Sequence, residues 1–136
     1  MAGTLLVRDV MTRDVKVVDP DASVAEVAAA MNRFGVGSVI VVAGGEPVGV
    51  VSERDILRRV VEPCLPPEAT AARQIMSSPV VSIHESATLG EAVRLMAEKR
   101  VRKVPVVMEG RLVGIVTYTD VVSEALAMVS LLGELV

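Results

Sequence analysis

Apolar positions along this chain follow two alternating periods, and the whole series occurs twice. Residues 15–18 are short, β-branched and closed by Asp19-Pro20-Asp21, the pattern of a strand ending in a turn. Ser23 stands three residues before Glu26, the spacing of a capping box at a helix start. Val24, Val27, Ala28 and Met31 then fall at i, i+3, i+4 and i+7, one apolar stripe on a helix. Phe34-Gly35-Val36-Gly37 breaks the stripe. Residues 38–43 form a nearly continuous apolar run, as in a strand buried on both faces. Gly44-Gly45 turns the chain, and residues 47–51 return as the second arm of a hairpin. Ser52 then caps a helix reaching Val60 or Val61.

The second half repeats the series. Residues 80–83 read as a strand, and Thr88 and Glu91 give the capping spacing again. Leu89, Ala92, Val93 and Met96 form the stripe. Residues 103–108, Glu109-Gly110 and residues 112–116 form the hairpin, and Thr117 opens a last helix to about Ser130. Sliding the sequence by 65 residues lays positions 11–56 on 76–121 without a gap. Beyond shared valines it superposes Met11 on Met76, Ala22 on Ala87, Glu26 on Glu91 and Met31 on Met96. Gly45 falls on Gly110, Gly49 on Gly114 and Asp55 on Asp120. Two copies of one unit follow, with pseudo-two-fold packing and sites where copies meet. The division is repeat 1 over 7–62, a linker of three prolines over 63–71, repeat 2 over 72–130 and an apolar tail over 131–136. Before each first strand lies a lead-in, Val7-Arg8-Asp9-Val10-Met11 or Ala72-Arg73-Gln74-Ile75-Met76. Each reads as a short helical turn that could cross to the other repeat's sheet.

Composition narrows the function. At 136 residues, the two copies together can bury a core that neither would comfortably bury alone. Hydrophobic residues make up 51% but include one Phe and one Tyr, so the core is aliphatic and a bound ring would meet aliphatic walls. A net charge of −3 opposes a nucleic-acid partner. No apolar run reaches the roughly 20 residues of a membrane span, and residues 1–10 lack a signal-peptide core; a cytoplasmic protein is expected. The single Cys64, in a Pro-rich stretch, reads as an incidental thiol. His84, the single histidine, has no Cys, His or acidic cluster beside it and reads as a turn residue. Neither a nucleophile–base pair nor a metal-ligand cluster is present, so neither catalysis nor a metal site is expected.

The sharpest feature is Gly49-Val50-Val51-Ser52-Glu53-Arg54-Asp55, matched by Gly114-Ile115-Val116-Thr117-Tyr118-Thr119-Asp120. A strand ends at a hydroxyl residue beside a helix N-terminus, whose free N–H groups attract anions. An Asp one turn on can accept hydrogen bonds from the two hydroxyls of a ribose. The same residues also serve as plain N-caps and dipole partners.

With Met11-Thr12, Met76-Ser77 and Arg102-Lys103-Val104-Pro105-Val106-Val107, these motifs make residues 7–123 resemble a tandem pair of CBS domains, the cystathionine-β-synthase-type or Bateman module. The resemblance implies an α/β (α+β) fold of two β-α-β-β-α repeats packed sheet to sheet, with two clefts for adenosine compounds such as AMP, ADP, ATP or S-adenosylmethionine. Carried over residue by residue, it implies a first cleft of Ser52 and Asp55 with Pro79, Val80, Val81, Lys103, Val104 and Pro105. A second would join Thr117, Thr119 and Asp120 to Thr12, Asp14, Val15, Ser38, Val39 and Ile40. Asp55 and Asp120 would hold ribose, and Arg54, Arg102 and Lys103 would meet phosphate. The clefts should be unequal. Gly37-Ser38-Val39-Ile40 stands where the other copy has Arg102-Lys103-Val104-Pro105, and Asp14 takes the place of Pro79.

The implied function is a non-catalytic, ligand-sensing module that regulates a separate enzyme or transporter. The alternative is a structural dimerisation module with empty clefts. Val122, Ala125, Leu126, Val129, Leu131, Leu132 and Leu135 make the last helix strongly apolar, part of it core. Its excess points to a homodimer through the helices after Ser52 and Thr117.

Overall fold

The computed structural model describes residues 4–135. Residues 1–3 and Val136, the end of the expected tail, lie outside the described residues. The first copy forms α1 (Val7–Val10), β1 (Val17–Val18), α2 (Val24–Phe34), β2 (Ser38–Ala43), β3 (Glu46–Ser52) and α3 (Glu53–Ile56). The second forms α4 (Ala72–Ile75), β4 (Ile83–His84), α5 (Leu89–Lys99), β5 (Lys103–Met108), β6 (Arg111–Thr117) and α6 (Tyr118–Gly133). The α+β class and the doubled β-α-β-β-α order are those the sequence implies. Each copy forms a three-stranded sheet, β1-β2-β3 or β4-β5-β6, whose first two strands run parallel. A helix makes each parallel crossover, as such a connection requires. No helix among the described residues is long and apolar enough to cross a membrane.

The chain divides into two compact units, and they do not follow the repeats. One comprises Val15–Val80 with Gly110–Leu112; the other comprises residues 4–14, 81–109 and 113–135. In the first unit, α2 starts at Ser23, whose Oγ accepts from the Glu26 amide at 3.1 Å, and stops at Gly35, in the left-handed region at φ 65°. That conformation suits a residue without Cβ. Val24, Val27 and Met31 from the stripe pack with Val39, Val41 and Val51 of the hairpin and Val60 beyond α3. The core is completed by Ala72 and Ile75 of α4, the lead-in to the other copy. Main-chain bonds fasten this lead-in. The Ala72 amide donates to Ala22 at 2.8 Å, Arg73 to Pro20 at 3.0 Å and Val24 to Thr70 at 2.8 Å. Ser77 and Val50 exchange two bonds, of 2.8 and 3.0 Å.

The other unit repeats the pattern with the other lead-in. The Val7 amide donates to Ala87 at 2.8 Å, Arg8 to Glu85 at 3.1 Å and Leu89 to Leu5 at 3.0 Å. Thr12 and Ile115 exchange bonds of 2.8 and 2.9 Å. Val7 and Met11 join Ala92, Met96, Val104, Val106 and Val116 in its core. Each sheet is thus completed by the lead-in of the opposite repeat, as the sequence allowed.

This exchange accounts for two of the identities between the copies. A Cβ built on Gly49 would collide with the Met76 side chain, and one on Gly114 would collide with Met11 and the Thr12 carbonyl oxygen. The methionine that ends each lead-in lies where only glycine leaves room. Met, with its flexible and polarizable side chain, fits such an irregular gap.

Several boundaries differ from the sequence reading. The strands expected over 15–18 and 80–83 shrink to Val17–Val18 and Ile83–His84, because each pairs with its parallel neighbour at two positions only. The preceding residues connect that edge to the bridges at Thr12 and Ser77. Helix α3 passes into a π-helical turn, Leu57–Val61. Val93, expected in the stripe, is exposed; Ala92 and Met96 are buried, with Leu95 packed against them. The segment after Val61 is an ordered connection: Thr70 is buried, its hydroxyl donating to the Pro66 carbonyl at 2.8 Å. Helix α6 runs past Ser130 to Gly133, and none of its residues is fully buried, so the core share expected of it reduces to Val121 at its base.

Gly49→Ala should lower stability by about 1–3 kcal/mol through overpacking. Combined with Met76→Ala it should cost clearly less than the sum of the single changes, because the smaller side chain makes room. Urea unfolding of the four proteins in the cycle measures this coupling. Strict additivity would mean that the two residues do not touch.

Candidate functional site

Each copy of the hydroxyl-x-x-Asp motif folds into a reciprocal capping box at a strand–helix junction. In the first, Ser52 Oγ accepts from the Asp55 amide at 3.1 Å and Asp55 Oδ2 accepts from the Ser52 amide at 2.9 Å. In the second, Thr117 Oγ1 accepts from the Asp120 amide at 3.2 Å and Asp120 Oδ2 accepts from the Thr117 amide at 2.8 Å. The box satisfies a free N–H at the helix start and one at the cap, and its carboxylate suits the helix dipole. It also fixes the carboxylate in one orientation, so ordering it for a ligand costs little further entropy. The capping reading and the binding reading are therefore compatible for one oxygen of each carboxylate, and the second oxygen decides.

There the copies differ. Asp55 is 8% exposed. Its Oδ2 also accepts from Ser52 Oγ at 3.0 Å, and its Oδ1 accepts from Ser77 Oγ at 3.0 Å. Arg59 Nη1 lies 3.9 Å from Oδ1 and donates to the carbonyls of Ile75 and Met76 at 2.9 and 3.0 Å. Asp120 is half-buried, and its Oδ1 makes no hydrogen bond among the described residues. The residue in the place of Ser77 is Thr12; the residue in the place of Arg59 is Glu124.

The remaining expected residues distribute between the units. The unit that contains Ser52 and Asp55 also contains exposed Arg54 and Pro79, half-buried Val80 and Val15, and Ser38, which sits opposite Ser52 across the hairpin. The unit that contains Thr117 and Asp120 also contains exposed Thr12, Asp14, Thr119 and Arg102 with half-buried Val81 and Lys103. Val39, Ile40, Val104 and Pro105 are buried, so they form the backing of these strand ends. Ser38 thus neighbours the Ser52 copy of the motif within its own sheet, although the resemblance assigned it to the Asp120 cleft.

The two helix starts carry different chemistry. The Glu53 amide donates to Gly37 at 3.0 Å, and the Tyr118 amide donates to Arg102 at 2.8 Å. The Arg102 guanidinium lies over the exposed Tyr118 ring, 6.0 Å from its centroid. Ser77 and Arg59 were not among the site residues read from the sequence. The available signal was the 65-residue register, in which Arg59 falls on Glu124 and Ser77 on Thr12. His84, expected in the turn, is instead the exposed last residue of β4, opposite Val107, and its Nδ1 lies 2.7 Å from Ser86 Oγ in the turn that follows. Among the described residues, no group of three His, Cys, Asp or Glu could hold a metal ion.

Comparison with known proteins agrees with the duplicated geometry. The family model of the CBS domain matches residues 7–62 and again residues 72–127. An uncharacterized protein of Methanopyrus kandleri, MK0525, is 38% identical over 130 residues, covering 94% of this chain and 66% of its own length. The crystal structure of an uncharacterized conserved protein from Pyrococcus horikoshii superposes with a TM-score of 0.78 at 33% identity, covering 92% of this chain and 95% of that one. A hexameric CBS-CP12 protein from bloom-forming cyanobacteria gives 0.75 at 27% identity, over 90% of this chain and 72% of its own.

Proposed function

This chain belongs to the CBS domain family and carries the module twice, and on that premise we propose that it is a non-catalytic regulatory module binding an adenosine-containing ligand. AMP, ADP, ATP and S-adenosylmethionine share the group the motif would read. The observation that carries this reading is the pre-ordered carboxylate of Asp120. Its capping bond holds Oδ2, and Oδ1 is unbonded among the described residues. A vicinal diol needs such an acceptor, already oriented and set at a helix N-terminus that favours a nearby anion. The ligand acts as an effector, and what the module regulates is an enzyme or a transporter.

A second reading, a dimerisation module that binds no ligand, is favoured at one copy by Asp55, whose two oxygens are already bonded within the protein. Thermal shift over adenosine compounds separates the two. A ligand at 100 times its Kd should add about 2.7 kcal/mol to native stability. Calorimetry on an Asp55→Ala/Asp120→Ala double variant should then show binding lost. A double variant that binds like the parent would refute the ribose assignment.

The same proposal includes a homodimer. Leu126, Val129, Leu131 and Leu132 of α6 and Leu135 just beyond it are more than 60% exposed, and Leu57 and Val61 after Ser52 are exposed as well. Met128, Leu131, Leu132 and Leu135 line a shallow apolar hollow. Such patches are rare on monomers, and a two-fold pair would cover the same patch on both chains. The hexameric state of the CBS-CP12 neighbour supports assembly through copies. Ligand at the helix starts would then alter helix angles at the seam. Light scattering at micromolar concentration should give the mass of two chains, and truncation after Leu126 should weaken the pair. A monomer mass unchanged by ligand would refute both dimer and signalling route.

A further inference from the structure

We propose that the two copies have divided the work of the motif: Asp55 is a latch that fastens the segment Ala72–Ser77 to the first hairpin, and Asp120 alone is left to take the ligand's diol. The Asp120 half rests on the adenosine-binding reading above; the Asp55 half does not.

Asp55 reaches across 22 residues of sequence to Ser77, accepting from its hydroxyl at 3.0 Å. Ser77 is the residue whose main chain pairs with Val50, so the bond closes on the point where the exchanged lead-in joins the hairpin. Arg59, one helical turn after Asp55, clamps the two preceding carbonyls, Ile75 and Met76, and sets its charge 3.9 Å from the same carboxylate oxygen. Ser52, Asp55, Arg59 and Ser77 thus form one closed network around a buried carboxylate. A diol arriving there would compete with the Ser77 hydroxyl for Oδ1 while Oδ2 stays in the capping box. The neighbouring helix residue, Glu53, presents a like charge to any phosphate-bearing ligand.

The Asp120 copy lacks each part of the latch. Thr12 keeps the main-chain bridge to Ile115, but no bond from its hydroxyl to Asp120 occurs among the described residues. Glu124 stands where Arg59 would, so no cation neutralises Asp120 from one turn on. The helix start carries Tyr118 with Arg102 over its ring in place of Glu53 with Gly37. This helix start therefore offers a carboxylate with an unbonded oxygen and, two residues before it, an exposed ring with a guanidinium over it.

The test uses the full chain, AMP as probe, calorimetry for binding and hydrogen exchange for the latch. One AMP per chain should bind the parent. Asp120→Asn keeps a capping acceptor and should weaken AMP at least tenfold with little change in the urea midpoint. Asp55→Asn should leave stoichiometry and affinity within twofold of the parent, yet speed amide exchange at positions 76 and 77 at least tenfold. Should Asp55→Asn fail to fold, Ser77→Ala, which removes only the hydroxyl, should give the same faster exchange with AMP binding retained. Two AMP per chain with one lost in Asp55→Asn, or unchanged exchange at 76 and 77 in Ser77→Ala, would overturn the division. If AMP and S-adenosylmethionine both fail to bind the parent, the adenosine reading and the Asp120 half fall together, and the exchange data alone judge the latch.

Discussion

The contact on which each sheet depends is that of a lead-in methionine against a hairpin glycine: Met76 on Gly49 and Met11 on Gly114. Around each lies a pair of main-chain bonds, Ser77 with Val50 and Thr12 with Ile115. A three-stranded sheet with one amphipathic helix leaves apolar surface uncovered, and in each unit the lead-in of the opposite repeat covers it. Ala72 and Ile75 complete one core and Val7 and Met11 the other. Burying Ile75, Val7 or Met11 contributes about 1.5–3 kcal/mol each, a large share of the stability of so small a unit. The main-chain bonds then fix register, which the apolar contacts alone would leave loose.

The same contact decides what the motif can do. The lead-in brings a hydroxyl residue to the end of the hairpin, next to the capping box. Where that residue is Ser77, its hydroxyl bonds to Asp55, and Arg59 closes the network. Where it is Thr12, Asp120 keeps a second oxygen that no described residue occupies. One geometry thus serves stability in one copy and leaves an acceptor in the other. A buried carboxylate must be hydrogen-bonded to be tolerated, and the more buried of the two aspartates is the more fully bonded.

Much of the fold was legible in the sequence because its signals are local. Ser23 and Thr88 mark their helices through side-chain caps, Gly35 ends α2, and Gly44-Gly45 and Glu109-Gly110 turn the hairpins, with positive φ at all four turn positions. The 65-residue register exposed the repeat and, through Met11 and Met76, the residues that complete the exchange. What was less legible depends on contacts between distant segments. The shortening of β1 and β4 follows from how few positions their partners offer. Val93 sits at a stripe position yet faces outward, because Leu95 packs in its stead. In the candidate site, the hydroxyl-x-x-Asp boxes were legible as caps and as possible binding groups. The Ser77–Asp55 bond was not, since it joins residues related only through the exchange.

Native-state hydrogen exchange on the ligand-free chain addresses that exchange most directly. The amides of Ser77 and Thr12, which lie outside every helix and strand, should be protected to the same degree as those of Val50 and Ile115, because each pair shares its two bonds. Exchange of Ser77 and Thr12 at open-chain rates, with Val50 and Ile115 still protected, would contradict the completion of each sheet by the opposite repeat's lead-in.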